Sequence, residues 1–287
     1  MVREFKLLNE KGQSYSLMDI KSYCLLTDPS GFGFSYLTEY EQLGNTFLEN
    51  LRKIEQGKIE GTANFESYDN YKKFINFIEN SKNLKFSYRI PFKEGMKEYL
   101  KDVNIQLVTK TQKATNGILS ETVSFDCLSL WYEKTTTIYT INPLENEMRW
   151  DFEWDSIFYD YDTRSLDFVN EGHVEAPILL EINGEVENPK IELYVEGELV
   201  QTVQFTVNIL ENEKLLYGTK EAEFYIKKQS SDGTVVDLYK YNDDLIVDFA
   251  NDNVVRLPKN KSCKLVLEAD NEITSAKMTI LTYYKAV

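Results

Sequence analysis

SLDFVNEGHVEAPILLEINGEVENPKIELYV, residues 165–195, decides the fold class of the second half of the chain. The runs LDFV, PILLEI and KIELYV alternate apolar and polar residues over strand-like lengths, and the breakers NEGH and NGEVENP separate them. The rhythm continues through 201–209, 214–217, 222–227, 235–239, 245–249, 254–257, 263–268 and 274–283. Turn signals such as SDG at 231–233 and PKNK at 258–261 fall between these runs. Short strands at this spacing predict a β-sandwich that requires no helix, its last strand anchoring the end of the sequence.

Working outward, 287 residues favour two domains over one, because single cores rarely grow beyond about 250 residues. The expected division is 1–134, a linking segment 135–164, and the sandwich at 165–287. Charge shifts across that division: residues 1–134 hold 18 Lys plus Arg against 18 Asp plus Glu, while the remainder holds 14 against 29. The first part can self-associate without a net Coulomb penalty. The second repels copies of itself, nucleic acid and acidic membrane surfaces. Cys24, Cys127 and Cys263 are too few and too scattered for a disulfide framework or a thiolate metal site, and read as buried small hydrophobes. There is neither a signal-peptide pattern nor an 18-residue apolar run, so the sequence reads as one that folds in a cytoplasm.

The first part reads as strands with one covering helix. Residues 3–8 and 15–17 suggest a hairpin about Gly12, and a strand near 22–27 leads to DPSG. The GFGF at 31–34 lacks the spacing and following helix of a phosphate loop and predicts a tight turn with buried aromatics. Residues 47–54 and 58–65 suggest a second hairpin, half of which leaves the body of the domain, with Gly61 permitting close approach of a neighbour. Residues 68–79 predict a helix capped by Ser67, with Tyr71, Phe74, Ile75 and Ile78 on one stripe. Strands then resume at 84–90, 100–109, 118–128 and 135–141.

No catalytic constellation emerges. The lone His173 sits in a turn and cannot supply a histidine cluster, and no serine or cysteine lies in a nucleophile motif. Asp151, Glu153, Asp155, Asp160 and Asp162 could pair as glycosidase carboxylates only in a shared cleft, and some pair among 47 acids meets that distance in any fold. Asp243, Asp244 and the Asn251-Asp252-Asn253 run miss the EF-hand spacing and read as surface loops. Trp150, Trp154, Tyr159 and Tyr161 lie among acids at 144–163, which suits either an interdomain link with packed rings or a sugar-binding surface. The expectation is therefore no enzyme, no cofactor, no metal and no readout of nucleic acid.

Several ordered pieces carry a resemblance. FKLLNEKG at 5–12, YSL at 15–17, DPSGFGF at 28–34, IEG at 59–61, FESYDNY at 65–71 with Phe74 and Phe77, Tyr88, and SLWY at 129–132 resemble the distal tail protein of siphophages infecting Gram-positive bacteria. FVNEGH at 168–173, Ala176-Pro177, Gly184 and Asn188-Pro189 are similar, more loosely, to the start of that family's second domain.

The resemblance implies an N-terminal β-rich domain that forms a hexameric ring through an extended hairpin passed to the neighbour as a belt. It also implies a projecting C-terminal sandwich of galectin-like or carbohydrate-module-like shape. The implied role is structural and lies in the virion, at the distal end of the tail, after synthesis in the host cytoplasm. The implied partners are the tail tube, a tail-associated lysin-type hub protein, and receptor-binding or baseplate proteins. Phe47, Leu51, Ile54, Ile59 and Phe65 are the expected belt residues, and Leu130, Trp131 and Tyr132 the expected brace of the domain junction. The alternative is a carbohydrate-binding module in which Trp150, Trp154, Tyr159 and Tyr161 line a groove for host wall polysaccharide.

Overall fold

The computed structural model describes residues 3–92, 95–111, 117–140, 165–238, 254–271, 273 and 275–287. Contacts divide the chain into two compact units, residues 1–133 with 284–287, and residues 134–283. The last four residues thus belong with the first unit.

In the first unit β1 (Glu4–Leu8), β2 (Ser14–Ser16) and β3 (Leu25–Ser30) precede a hairpin, β4 (Tyr36–Leu43) and β5 (Thr46–Ile54). Then come β6 (Lys58–Phe65), α1 (Tyr68–Glu79), β7 (Leu84–Phe92), β8 (Gly95–Val108) and β9 (Leu119–Cys127). Strand β10 (Trp131–Thr140) starts here and ends in the second unit. All pairings are antiparallel and run β3-β6-β9-β8-β7-β1-β2. Leu17 N donates to Phe5 O at 2.9 Å, Leu26 N donates to Leu17 O at 2.9 Å, and Met18 bridges Leu25. These bonds join the two ends of the strand circuit, which removes open sheet edges.

Helix α1 covers this sheet for the reason its sequence gives. The Ser67 hydroxyl accepts from Asn70 N, and Tyr71, Phe74 and Ile78 are buried on one stripe, with Ile75 partly buried beside them. Phe65 meets Tyr71 edge-on at 5.4 Å and Phe74 at 5.5 Å, so the stripe seats on β6.

The expected hairpin of 47–54 with 58–65 does not form. Strand β5 instead pairs with β4, a segment the sequence reading left unassigned, while β6 lies between β3 and β9 in the main sheet. The reason is the turn. Leu43-Gly44-Asn45-Thr46 is a two-residue loop with Gly44 at φ +65 and Asn45 at negative φ, the type II′ pattern that tightly joins twisted strands. Glu55-Gln56-Gly57 is no such turn, because Cys127 N donates to Gly57 O and Gln56 Nε2 donates to Cys127 O, tying this segment to the end of β9. Gly61 does allow a close approach: a Cβ there would stand 2.9 Å from Leu26 Cδ1 and 3.1 Å from Thr27 O.

The second unit holds β11 (Ser165–Val169), β12 (Ala176–Asn183), β13 (Val186–Glu187), β14 (Lys190–Val195), β15 (Glu198–Gln204), β16 (Asn208–Ile209) and β17 (Glu213–Gly218). After them come β18 (Tyr225–Ser230), β19 (Val235–Asp237), β20 (Arg256–Leu257), β21 (Ser262–Glu268) and β22 (Ser275–Tyr284). One sheet runs β19-β18-β17-β12-β22 and the other β11-β21-β14-β15. Ile178, Leu180, Ile182, Leu215, Tyr217 and Met278 from the first share a core with Ile191, Leu193, Val203, Leu265 and Leu267 from the second. Alternation along β12, β14 and β21 produces this β-sandwich.

Several strand boundaries differ from the sequence reading: β20 takes up only Arg256–Leu257 of the expected 254–257, and the strand expected at 135–141 begins at Trp131 as β10. The 201–209 run breaks after Gln204 into β15 and β16, and residues 221–223 form a 3₁₀ turn, so β18 starts at Tyr225. The run at 245–249 lies outside the described residues.

Candidate assembly interface

The most exposed apolar surface of the first unit is the hairpin. Its strands pair only with each other, and nearly every residue from Leu37 to Lys53 is exposed. Tyr40, Leu43 and Phe47 each show more than 60% of their surface, and Leu37, Leu48 and Leu51 are exposed as well. Register and the bulge after Glu39 sort these side chains onto two faces. One face carries Tyr36, Thr38, Tyr40, Gln42, Phe47, Glu49, Arg52 and Ile54. The other carries Leu37, Glu39, Glu41, Leu43, Thr46, Leu48, Leu51 and Lys53.

A two-stranded ribbon is marginal in water by itself, and here both faces present large apolar groups. Monomeric proteins rarely expose such contiguous patches unless a partner covers them. The base is nevertheless stiff. Glu55 N donates to Ser35 O at 2.9 Å, and Ser35 Oγ donates to Glu55 Oε2 at 2.8 Å. The Arg52 guanidinium lies 4.0 Å from the centre of the Tyr36 ring. Lys285 donates from Nζ to the Tyr36 hydroxyl at 2.8 Å and stacks its charge over that ring and over Phe34. The ribbon is therefore held where it leaves the body and presents its tip outward, prepaying the ordering cost of docking.

Among the residues expected at the belt, Phe47 and Leu51 are on the exposed hairpin and Ile54 is at its partly buried base. Ile59 and Phe65 differ from that expectation: both are fully buried in the core of the first unit, because β6 is an interior strand there. The sequence reading missed Tyr40 and Leu43. The signal that would have found them is the Gly44-Asn45 dipeptide flanked by two alternating runs.

Leu130 is partly exposed, whereas Trp131 is buried in the core of the first unit and Tyr132 is buried as well. The Tyr132 hydroxyl donates to Asp102 Oδ1 at 2.9 Å, and the Trp131 ring joins Phe32, Phe86 and Tyr88. In the GFGF turn Phe32 packs against the core, but Phe34 stays 46% exposed, so only one of its two aromatics is inside. Trp150, Trp154, Tyr159 and Tyr161, together with the acids at 151–162 and 243–252, lie outside the described residues.

His173 is an exposed turn residue whose backbone N donates to Tyr283 O at 2.8 Å. The three cysteines are buried thiols, and burial pushes Cys24 up to about 12. Among the described residues no group of three His, Cys, Asp or Glu is placed to hold a metal ion, and no helix is long and apolar enough to cross a membrane.

Residues 4–128 match the family model described as the distal tail protein, N-terminal domain. No curated protein sequence matches the chain. Among solved structures, a chain of the phage P2 baseplate in its activated conformation with calcium aligns over 100% of both chains, with a TM-score of 0.67 at 16% identity. The same baseplate in its activated conformation with strontium gives the same values. The crystal structure of the Dit protein of phage SPP1, described as a paradigm of the hub adsorption apparatus in phages infecting Gram-positive bacteria, aligns over 96% of this chain and 98% of its own. Its TM-score is 0.58 at 12% identity. At these identities the likeness is one of fold, and it extends over both units.

Proposed function

We propose that this chain, which resembles phage distal tail proteins, is a structural, non-catalytic component of the hub at the distal end of a phage tail. In this reading the first unit closes a ring of six copies through its hairpin, and the second unit projects from it. The ring joins the end of the tail tube to a lysin-type hub protein and anchors receptor-binding or baseplate proteins.

The observation that carries this reading is the exposed hairpin Tyr36–Ile54, apolar on both faces and braced at its base. A cyclic assembly repeats one heterologous contact, and a protruding ribbon that meets a different patch on the next copy is suited to it. Charge fits the same plan. Residues 1–134 are balanced and can pack together, while the acidic excess of the remainder keeps projecting units apart. Negative-stain images and native mass of the purified chain test the reading. Six-fold rings with a central opening are expected, and a protein that stays monomeric at high concentration overturns ring closure by this chain alone.

A further inference from the structure

At the base of the hairpin, wholly within the first unit, lies a cleft of about 380 Å³. Phe34, Ile54, Leu128 and Leu130 contribute apolar wall, and Lys101 and Lys285 contribute positive charge. Lys101 is the unusual member, with only 4% of its surface exposed. Its ammonium lies 4.8 Å from the centre of the Trp131 ring, and the Cys127 thiol is nearby. Burial pulls its pKa below the ordinary lysine range, and among the described residues no carboxylate offsets that effect.

Glu55 also lines the cleft; its Oε2 accepts from Ser35 Oγ at 2.8 Å, and among the described residues no ion pair joins it to Lys101. Buried charges are costly unless paired, and a carboxylate entering the cleft would supply what Lys101 lacks.

The chain itself carries a matching segment. On one face of the hairpin tip, Glu41 stands opposite Leu48, next to Leu43, and both leucines are more than half exposed. Asn50 Nδ2 donates to Glu41 Oε2 at 3.3 Å, leaving Oε1 for another donor. Two leucines and one carboxylate are the complement of an apolar-walled cleft with a buried lysine in its lining.

We propose that the cleft of one copy receives the hairpin tip of a second copy, Leu43 and Leu48 against its apolar wall and the Glu41 carboxylate on Lys101. This rests on the hairpin being the assembly element. Because cleft and tip are different patches of one chain, the contact is heterologous and propagates from copy to copy.

The test measures assembly of the full chain by sedimentation, alongside Glu41→Gln, Lys101→Met and a chain in which residues 38–52 are replaced by Asn-Gly. Both point variants are expected to raise the concentration at half-assembly by about tenfold or more. Lys101→Met should at the same time melt no lower than the parent as a monomer, since it replaces an unpaired buried charge by an apolar group of similar length. Glu41→Gln alters only the exposed tip, so its result stands even where Lys101→Met fails to fold. Unchanged assembly of either folded point variant, beside a monomeric hairpin-shortened chain, overturns the cleft as receptor and leaves the hairpin as assembly element. Assembly of the hairpin-shortened chain, or a parent that never assembles, overturns both.

Discussion

Trp131 donates its indole N–H to the carbonyl of Phe32 at 3.0 Å and stacks on that residue's ring, with centroids 5.8 Å apart. The two are 99 positions apart in sequence, and their contact fastens the turn from which the hairpin departs to the first residue of β10. Trp131→Phe keeps most of the apolar area but leaves the Phe32 carbonyl without its donor, at a cost of about 1 to 2 kcal/mol. Trp131→Ala also opens a cavity in a fully buried site and costs about 3 to 5 kcal/mol. Hydrogen exchange resolved by peptide should accelerate throughout residues 3–92, and in neither variant at 176–218. Acceleration in both regions would show that the two units unfold together.

Gly31 lies in the same turn at φ +88, and a Cβ there would stand 1.7 Å from Lys58 O. Ala in its place meets backbone that cannot step aside, in a conformation that side chains disfavour. Gly31→Ala is expected to lower the stability of the first unit by more than about 2 kcal/mol. Gly12→Ala, with φ +74 and open space around its Cβ, should cost only about 1 kcal/mol. Equal losses in a matched urea series would assign both to backbone strain alone.

The strand content, the helix and its cap were legible because each is written in local residues. Ser67 is followed by the stripe Tyr71, Phe74 and Ile78, and PILLEI and KIELYV alternate toward one core. Pairing was less legible, since it depends on which partner each strand meets. The 47–54 run could pair forward or backward by its pattern alone, and the Gly44 turn decided for β4. The candidate interface was half legible. Phe47 and Leu51 are exposed as an interface requires, but Ile59 and Phe65 obey the same apolar pattern and lie inside. Nor could any local signal show that Lys285, far along the chain, would brace Tyr36.

Asn170, in the NEGH turn, is fully buried and saturated. Its Nδ2 donates to Val174 O at 2.9 Å and Leu257 O at 2.8 Å, and its Oδ1 accepts from Gly172 N at 2.9 Å. Asn170→Ala strands two carbonyls and one N–H, and should destabilise the sandwich by about 2 to 4 kcal/mol. Asn170→Asp is expected to be worse at neutral pH, because a carboxylate would face those carbonyls. Thermal melts from pH 4 to 8 check this: the Asp variant should recover stability as the pH falls and its new carboxyl takes up a proton, whereas the Ala variant should not.

On β14 the Lys190 ammonium bridges Glu192 Oε1 at 2.8 Å and Glu268 Oε2 at 2.7 Å. The Lys190 hydrogen bond, and then that of the Tyr194 hydroxyl, hold the Glu192 carboxyl below its usual 4.5. A depressed folded pKa means that the contribution is present above about 4.5 and is lost as the pH falls through the lower, folded value. Glu192→Gln should therefore lower stability at pH 7 by less than about 1 kcal/mol, since the group is near the surface. The difference from the parent should vanish in acid. A difference that persists unchanged to pH 3 would assign the effect to packing rather than charge.

The hairpin supplies the sharpest contrast between folding and assembly. Phe47 and Tyr40 share one face of the ribbon and are each more than 60% exposed, so removing either ring takes little from the core. Phe47→Ser and Tyr40→Ser are expected to change monomer stability by less than about 0.5 kcal/mol. In an assembly whose neighbour covers that face, the same changes delete apolar area at about 25 cal/mol per Å² and remove aromatic anchors of the kind that dominate interfaces. The variants should remain folded and more soluble while the concentration at half-assembly rises by about tenfold or more. Ile59→Ser, on interior strand β6, should do the reverse and unfold the first unit before it affects assembly, because Ile59 is fully buried. Paired melting and sedimentation curves separate the two behaviours, and a Phe47→Ser chain that melts early while assembling normally would return that ring to the core and leave the hairpin without its role.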